Sequence, residues 1–502
     1  MKIKRMFSRE VKFMSNFIVQ FPLIVEKWQC DILNKRFEIA RKIYNFLVRI
    51  SLNRYNEMIK TKKYRELAAD IQKDSQGKSL KNKYNKEIFE QINKLRLEHR
   101  LSEFHFHTDV KEFQKYYKKN IDSASAQKIG THLWKAYEKL FFGNGKGIHF
   151  KKYDTFNSIE SKSNNAGIRF KNNNIEWLGL KIPVSIDFNN LYEVQALENK
   201  ICYCRIVRKF IRSRYKFYVQ IVFKGTPPIK IDKNTGEIKR KIGDGDVGID
   251  IGTSTIAYCS ENNLKILELA DKVRDMSAEK NRILRKMDRS KRQTNKDNYN
   301  LDGTVKKGAA FKFSNRYIKL KNKLREIFRK EADIRKYQHE CLANEIITSG
   351  NKIYVEEMNF QGLQKRSKNI EKNDKGKFKK KKRFGKSLGN RAPAMLISII
   401  DRKLKSFGTE IIKINTKKAK ASQFDHSTEE YKKKSLSKRW NNIDGNKVQR
   451  DLYSSFLIMN INNDLETYNL EKCNERFNKF LRLHKLEVKR LLGNKNLSSI
   501  GI

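Results

Sequence analysis

The chain has 502 residues, 38% of them hydrophobic and 11% aromatic, with a formal net charge of +54 and a pI near 10.0. That length exceeds one compact core and implies roughly two to four domains, and the apolar content excludes a disordered polycation. No run approaches the ~18 apolar residues of a membrane span, and MKIKRMFSREVKF lacks an apolar signal core. The six cysteines are scattered without a CxxC pair, so reduced thiols are expected, in a soluble cytoplasmic protein.

The size of the charge narrows the partner. Lys outnumbers Arg more than twofold, part of which codon bias explains, but bias alone would not leave Asp and Glu so scarce. A module reading a short DNA site meets roughly 6–10 phosphates, whereas this excess matches on the order of 50 nucleotides. A large, lasting nucleic-acid component such as a bound RNA fits it. The bare protein should repel itself, be poorly soluble or order only in part.

In chain order, VKFMSNFIVQF alternates as a strand does, within residues 1–28. From Trp28 to about Leu140 the pattern is helical, as at Ile32, Phe37, Ile43, Phe46 and Leu47. From Phe141 to about Arg240, the runs FFGNGKGIHFKKY, GIRFKNNNIEWLGLKIPV and YKFYVQIVFKG predict strands split by Gly and Asn turns. A β domain with a helical domain inserted after its first strand is the simplest arrangement. GDGD (243–246) marks a boundary, followed by the strand VGIDI. Helices are predicted over about 271–293 and 314–348, the second with a seam of Leu320, Leu324, Ile327, Ile334 and Cys341. The strand KIYVEE, a helix over 394–408, the strand EIIKI and the helix DLYSSFLIMN complete an α/β half.

Three acids stand at element ends in that half. Asp250 ends an apolar strand, Glu356 ends KIYVE, and Asp451 opens a helix, where the helix dipole favours a carboxylate. Each alone has a plain structural reading as turn former, solvated strand end or cap. Ordered strand, strand, helix, they match what two-metal phosphodiester hydrolysis requires, carboxylate oxygens gathered around Mg²⁺. Unmetallated, such acids would repel one another.

GIDIGTS also resembles the first phosphate loop of actin-like ATPases and sugar kinases. Those need further loops built on paired glycines, where backbone must approach a nucleotide. This chain has no two adjacent glycines, and DGT (302–304) and DGN (444–446) are weak substitutes.

VGIDIGTSTIA, IYVEEMNFQGLQK and VQRDLYSSFLIMN resemble the three RuvC motifs of transposon-encoded TnpB proteins and of the compact type V CRISPR effectors related to them. LWKAYEKLFFGNGKGIHFKKY resembles the start of the TnpB wedge domain, and SLGNRAPAMLISIIDRKLKSFGTEIIKI with ASQ (421–423) extends the likeness. It is good over 141–460 and weak before that. The resemblance implies an α/β fold: a C-terminal RNase H-like (RuvC) domain, and an N-terminal wedge β-barrel with an inserted helical recognition domain. The implied segments are wedge 1–28 and 141–242, recognition domain 29–140, nuclease domain 243–421 and 447–502, and a zinc-ribbon-like segment 422–446. It further implies an RNA-guided DNA endonuclease with Asp250, Glu356 and Asp451 as catalytic acids and ligands of two Mg²⁺ ions, and guide RNA and target DNA as partners. The alternative is a guided DNA-binding protein that represses without efficient cleavage. Glu356 is taken before Glu357 because the first Glu of the motif is the family's ligand and the next residue points to the other strand face.

One departure is large. The family usually has a four-cysteine zinc ribbon between ASQ and the third motif, but this segment contains no cysteine. His426 alone cannot supply the four ligands of Zn²⁺, so no Zn²⁺ is expected. Phe424, Tyr431 and Trp440 are candidates to hold the segment instead, and Arg439 is a candidate nucleic-acid contact.

Further nucleic-acid candidates are Arg285, Arg289, Lys291 and Arg292 on one predicted helix. Arg212 and Arg214 beside Tyr215, Lys216 and Tyr218 are others, where aromatics interleave with charge. The basic run KGKFKKKKRFGK (375–386) reads as a solvated loop.

Overall fold

In the computed structural model, residues 16–493 are described, apart from 75–78, 81, 144, 233, 366–368, 370, 373–375, 377, 379–383, 434 and 436–437. The N-terminal run MKIKRMFSREVKF and most of the basic run 375–386 lie outside the described residues. The chain is mixed α/β and divides into two compact units at Pro228/Ile229. The expected boundary at 243 is therefore too late. Residues 229–242 belong with the second unit, where an Ile231–Ile238 bridge folds them and Lys230 lies in the field of Glu340 and Arg402.

The first unit opens with β1 (Asn16–Pro22), whose alternate residues Phe17, Val19 and Phe21 are buried. Five helices follow before the next strand: α1 (Lys27–Lys60), α2 (Lys62–Asp70), α3 (Lys83–Glu98), α4 (Glu103–Tyr116) and α5 (Ser123–Phe142). Then come β2 (Ser158–Glu160), β3 (Arg169–Lys171), β4 (Asn174–Trp177), β5 (Leu180–Pro183), α6 (Leu191–Leu197), β6 (Ile201–Ile211) and β7 (Arg214–Lys224). The helical insertion after a first strand is thus present. Antiparallel strands in the order β1-β7-β6-β2 form one sheet and β3-β4-β5 a second, joined by a Leu23–Val184 bridge. Among the described residues these are two sheets, not one closed barrel. The expected strand in 141–153 is absent there: after α5 the described residues run without a ladder partner. Buried Arg36 ties α1 to the smaller sheet. It donates to the Trp177 and Leu178 carbonyls at 2.8 and 2.7 Å and stacks on the Trp177 ring at 4.5 Å.

The second unit is built on β8 (Asp246–Ile251), β9 (Thr255–Ser260), β10 (Leu264–Glu268), β11 (Lys352–Glu356) and β12 (Ile412–Ile414), in the order β10-β9-β8-β11-β12. The pairs β10–β9 and β9–β8 are antiparallel; β8–β11 and β11–β12 are parallel. A parallel pair needs a long crossover, and here α7 (Ser277–Thr294) and α8 (Asn315–Thr348) lie in the connection from β10 to β11. The helices α9 (Phe360–Leu363), α10 (Gly385–Arg391) and α11 (Pro393–Ser406) carry the chain on to β12. After α12 (Thr416–Ala419) come two hairpins, β13 (Phe424–Asp425) with β14 (Glu430–Tyr431) and β15 (Trp440–Ile443) with β16 (Asn446–Gln449). The helices α13 (Arg450–Met459) and α14 (Leu470–Leu492) end the unit.

The strand period of two sorts the side chains into two cores, giving three layers. Val247, Ile249, Ile251, Ile353 and Val355 pack with Ala343, Ile346 and Ile347 of α8 and Leu396, Ile399 and Ile400 of α11. On the other face, Ala257, Cys259, Ile266 and Ile414 pack with Leu452, Phe456 and Leu457 of α13 and Phe477 and Phe480 of α14. The predicted α8 seam holds only in its first half. Leu320, Leu324 and Ile327 are half-buried, whereas Ile334 and Cys341 are exposed. A straight α-helix drifts about 20° per heptad, so the apolar stripe rotates and the sheet takes Ala343, Ile346 and Ile347 instead.

Candidate functional site

Asp250 and Glu356 are brought together by strand register. Lys352 pairs with Asp246 and Val355 with Ile249 across the parallel pair, so the next residue on each strand is an acid. Both acids are half-buried. Ile249 and Val355 face the α8–α11 core, so Asp250 and Glu356 turn to the α13 side. Glu357 lies past the strand end and is exposed.

Gly248 brings the third acid close. It shares the face of Asp250, and a Cβ there would overlap the Ser455 carbonyl oxygen and the Met459 nitrogen. Only glycine lets α13 lie with its backbone against β8. That approach sets the start of α13, with Asp451 in its first turn, over the end of the strand. Every residue of α13 but Asp451 is buried, so this helix is enclosed on all its faces.

The start of α13 is fixed from three sides. The Gln449 side chain caps it by accepting from the Leu452 N–H at 2.8 Å. The Gln449 N–H donates to His484 Nε2 at 2.9 Å, and burial pushes that imidazole down to about 4, so it is neutral and accepts. The Arg450 N–H donates to the Arg439 carbonyl at 2.8 Å, which joins the β15–β16 hairpin to the helix.

Electrostatics show that the three acids share one field. Burial raises the Asp250 carboxyl well above the usual carboxylate range, and the charges of Asp451 and then Glu356 raise it further. Arg450 and the Ser454 hydroxyl oppose this in part. Burial lifts Glu356 to about 7. Asp451 is held otherwise: Arg439 Nη1 lies 3.3 Å from one carboxylate oxygen and Arg450 Nε 3.1 Å from the other.

Asp250 and Glu356 offer oxygen donors whose retained protons a hard divalent cation would replace, so they fit Mg²⁺. Asp451 offers oxygens already taken up by two guanidinium groups. Among the described residues no group of three or more His, Cys, Asp or Glu side chains stands close enough to hold a metal ion. The structure gathers the three acids into one field without closing them into a ligand set.

The cysteine-free segment is two short hairpins. Phe424 and Tyr431 touch across the first at 4.8 Å, and Phe424 stacks on Tyr468 at 4.9 Å. Trp440 belongs to the second hairpin and meets His484 at 6.1 Å, so the three aromatics stand in two separate groups. His426 is buried, with Nδ1 2.6 Å from the Tyr453 hydroxyl.

The other sequence-predicted contacts divide. Arg285 and Arg289 are exposed on α7. Arg292 and Lys291 are committed within the protein. Arg292 pairs with Asp288 at 2.9 Å and stacks on Tyr299 at 4.7 Å, and Lys291 lies 3.7 Å from the Phe311 ring centroid. Arg212 and Arg214 flank the β6–β7 turn, where Arg212 and Ser213 take φ of 48° and 64°. Tyr215 beside them donates to Asp154 and stacks under Arg208 at 4.5 Å, which removes it from any open aromatic platform. Sequence reasoning missed Gly248, Gln449, Arg450, Ser454 and His484. Only Gly248, inside the motif VGIDIG, left a trace of its role.

No protein-family model matches the chain, and no curated protein matches it. Among solved structures, the "Cryo-EM structure of the Cas12f1-sgRNA-target DNA complex" is similar over 88% of this chain and 97% of that one, at 10% identity and a TM-score of 0.37. The "Cryo-EM structure of CRISPR-Cas12f Ternary Complex" is similar over 84% and 81%, at 16% identity and a TM-score of 0.22. Among the described residues no helix is long and apolar enough to cross a membrane.

Proposed function

We propose that this protein is an RNA-guided DNA endonuclease whose RuvC-like, RNase H-like site is formed by Asp250, Glu356 and Asp451. The observation that carries the reading is geometric: the β8–β11 register sets Asp250 beside Glu356, and Gly248 admits the helix whose first turn carries Asp451. A structural role gives no reason to crowd three acids in a protein of charge +54, whereas a cation site does. The mixed sheet with acids ending its two adjacent parallel strands, and a third on the helix above, supports the RNase H-like assignment.

Magnesium ions bound there would supply an activated water and charge stabilisation at the scissile phosphate. The chain's own contribution is positional. β8 and β11 fix Asp250 and Glu356, Gly248 admits α13, and Gln449 and His484 hold its first turn. Arg439 and Arg450 hold the Asp451 carboxylate oxygens until a stronger cation competes. Guide RNA and target DNA would neutralise the excess charge. Base pairing would then select the sequence, and the protein would read backbone and a short flanking motif.

One observation favours a second reading, a guided DNA-binding protein that represses without efficient cleavage. The Arg439–Asp451–Arg450 pairs leave the ligand set open. Cleavage of a matched plasmid in Mg²⁺ and in EDTA separates the two. The RNA-guided reading itself is tested by purifying the protein from its host and sequencing the RNA that accompanies it. A single RNA species with a variable guide segment is expected; nucleic-acid-free protein, or a random RNA mixture, contradicts it.

A further inference from the structure

The connection between α7 and α8, residues 295–313, is folded far more tightly than a tether needs to be. Asn295 is buried at its base, donating to the Lys291 and Lys312 carbonyls at 2.8 Å each and accepting from the Lys312 N–H at 2.7 Å. Tyr299 and Val305 form a bridge, and the Lys306 N–H donates to the Asn298 carbonyl at 2.9 Å. At the tip, the Asn300 N–H donates to the Thr304 carbonyl at 2.9 Å, and Asp302 accepts from the Thr304 N–H and hydroxyl at 2.8 and 2.6 Å. The stacked Lys291–Phe311 and Arg292–Tyr299 pairs clamp the loop onto α7.

The tip presents a leucine. Leu301 stands between Asn300 and Asp302-Gly303, a position turn chemistry fills with Asn, Asp, Gly or Ser, and its relative exposure is 110%. Of the loop's other large apolar groups, Tyr299 and Phe311 are half-buried, and Val305 and Phe313 are exposed at 49% each, less than half the exposure of Leu301. Single exposed leucines are ordinary on protein surfaces. One held out at the apex of a loop this well braced is not ordinary, because bracing it costs chain entropy that folding does not recover from Leu301. The surroundings are basic. Lys296, Lys306 and Lys307 are exposed around the loop, and Arg285 and Arg289, one helical turn apart, are exposed on α7, which leads to it.

We propose that this loop is a wedge that drives Leu301 between neighbouring bases of a nucleic-acid duplex while the flanking lysines and α7 arginines hold its phosphates. Apolar wedges of this kind, inserted from a basic surface, partly unstack a base step and kink the duplex. The assignment rests on the protein being a nucleic-acid-binding one, as proposed above, and adds a contact remote from the acids. The excess of exposed Lys296, Lys306 and Lys307 over Asp297 and Asp302, with Arg285 and Arg289 on α7, favours nucleic acid over a protein partner, for which one leucine is a poor anchor.

The test uses the full chain with a DNA duplex and an RNA–DNA heteroduplex. Each carries one 2-aminopurine, whose fluorescence rises when its stacking breaks, at a position moved along a series. Wild-type protein should raise the fluorescence in at least one duplex type. Leu301→Ala and Leu301→Lys, changes at a fully exposed position, should fold as wild type does and give no rise at protein concentrations that saturate the duplex. Binding without any rise in the wild type, or an undiminished rise in Leu301→Ala, overturns the wedge and leaves the nuclease reading standing. Failure to bind either duplex overturns both. A variant with the photoreactive amino acid p-benzoylphenylalanine incorporated in place of Leu301 should crosslink to the accompanying nucleic acid; crosslinking only to a protein overturns the wedge.

Discussion

Arg439 and Asp451 are ion-paired at 3.3 Å across the junction of a hairpin and a helix, and Arg450 holds the other oxygen of the same carboxylate at 3.1 Å. The acid proposed above as a cation ligand is thus occupied by side-chain cations in the isolated chain. Arg439→Ala should strengthen binding of Mn²⁺ by up to about fivefold, the worth of one partly exposed pair. Titration calorimetry of the full chain measures this. Unchanged or weaker Mn²⁺ binding would show that Arg439 does not compete with the metal.

Gly248 is the position on which the approach of α13 depends. Gly248→Ala must push the helix from the strand, because the new methyl meets backbone and not a yielding side chain. A loss of about 1–3 kcal/mol is expected from chemical denaturation, as for other overpacked cores. Cleavage should fall further than stability explains, since Asp451 moves with the helix. A variant of full activity and stability contradicts the packing argument.

The pH dependence of stability has two opposed parts. Glu356, raised to about 7, and Asp250, raised above the usual range, favour the fold at low pH. The Glu356 contribution is lost as pH climbs from about 4.5 through 7, and that of Asp250 as pH rises through its own raised value. His484, lowered to about 4, favours the fold above its ordinary value of about 6.5 and loses that contribution as pH falls through 4. The trends cancel in part in the metal-free protein. Asp250→Asn with Glu356→Gln should leave the histidine trend exposed, so that Tm drops on acidification from about 6.5 to 4 more steeply than in wild type. A thermal scan across that range decides it, and parallel curves for the two proteins refute the carboxyl assignment.

Divalent cations should reverse the carboxyl trend. Mg²⁺ should raise Tm at pH 8 and little at pH 5, where the two carboxyls retain their protons. Asp250→Ala should abolish the increase. An equal increase in that variant would place the ion elsewhere.

Much of the second unit was legible because β8 and β11 are β-branched runs ending in acids, a pattern that survives in any context. The pairing of Ile249 with Val355 was not legible, since register is a long-range fact. Strand β6 was overlooked because a charged residue occupies an inward position. Arg208 is buried between the rings of Phe37 at 4.8 Å and Tyr215 at 4.5 Å, which breaks the apolar alternation that would announce a strand. The α7 cations read alike in sequence, yet Lys291 and Arg292 cover aromatic rings of the following loop whereas Arg285 and Arg289 face solvent. Helical periodicity gives the face of a residue and not the loop that folds back upon it. Ile334 and Cys341 fell outside the seam for the related reason that their spacing follows a heptad and the helix does not.

The most direct measurement is strand cleavage by the protein purified with its own RNA, on DNA matched to that RNA, with and without Mg²⁺. Wild type should cut in Mg²⁺ and be silent in EDTA. Asp250→Ala, Glu356→Ala and Asp451→Ala should each lose at least about a hundredfold in rate while keeping their RNA. Undiminished cutting by any one of the three, or cutting that survives EDTA, contradicts the account.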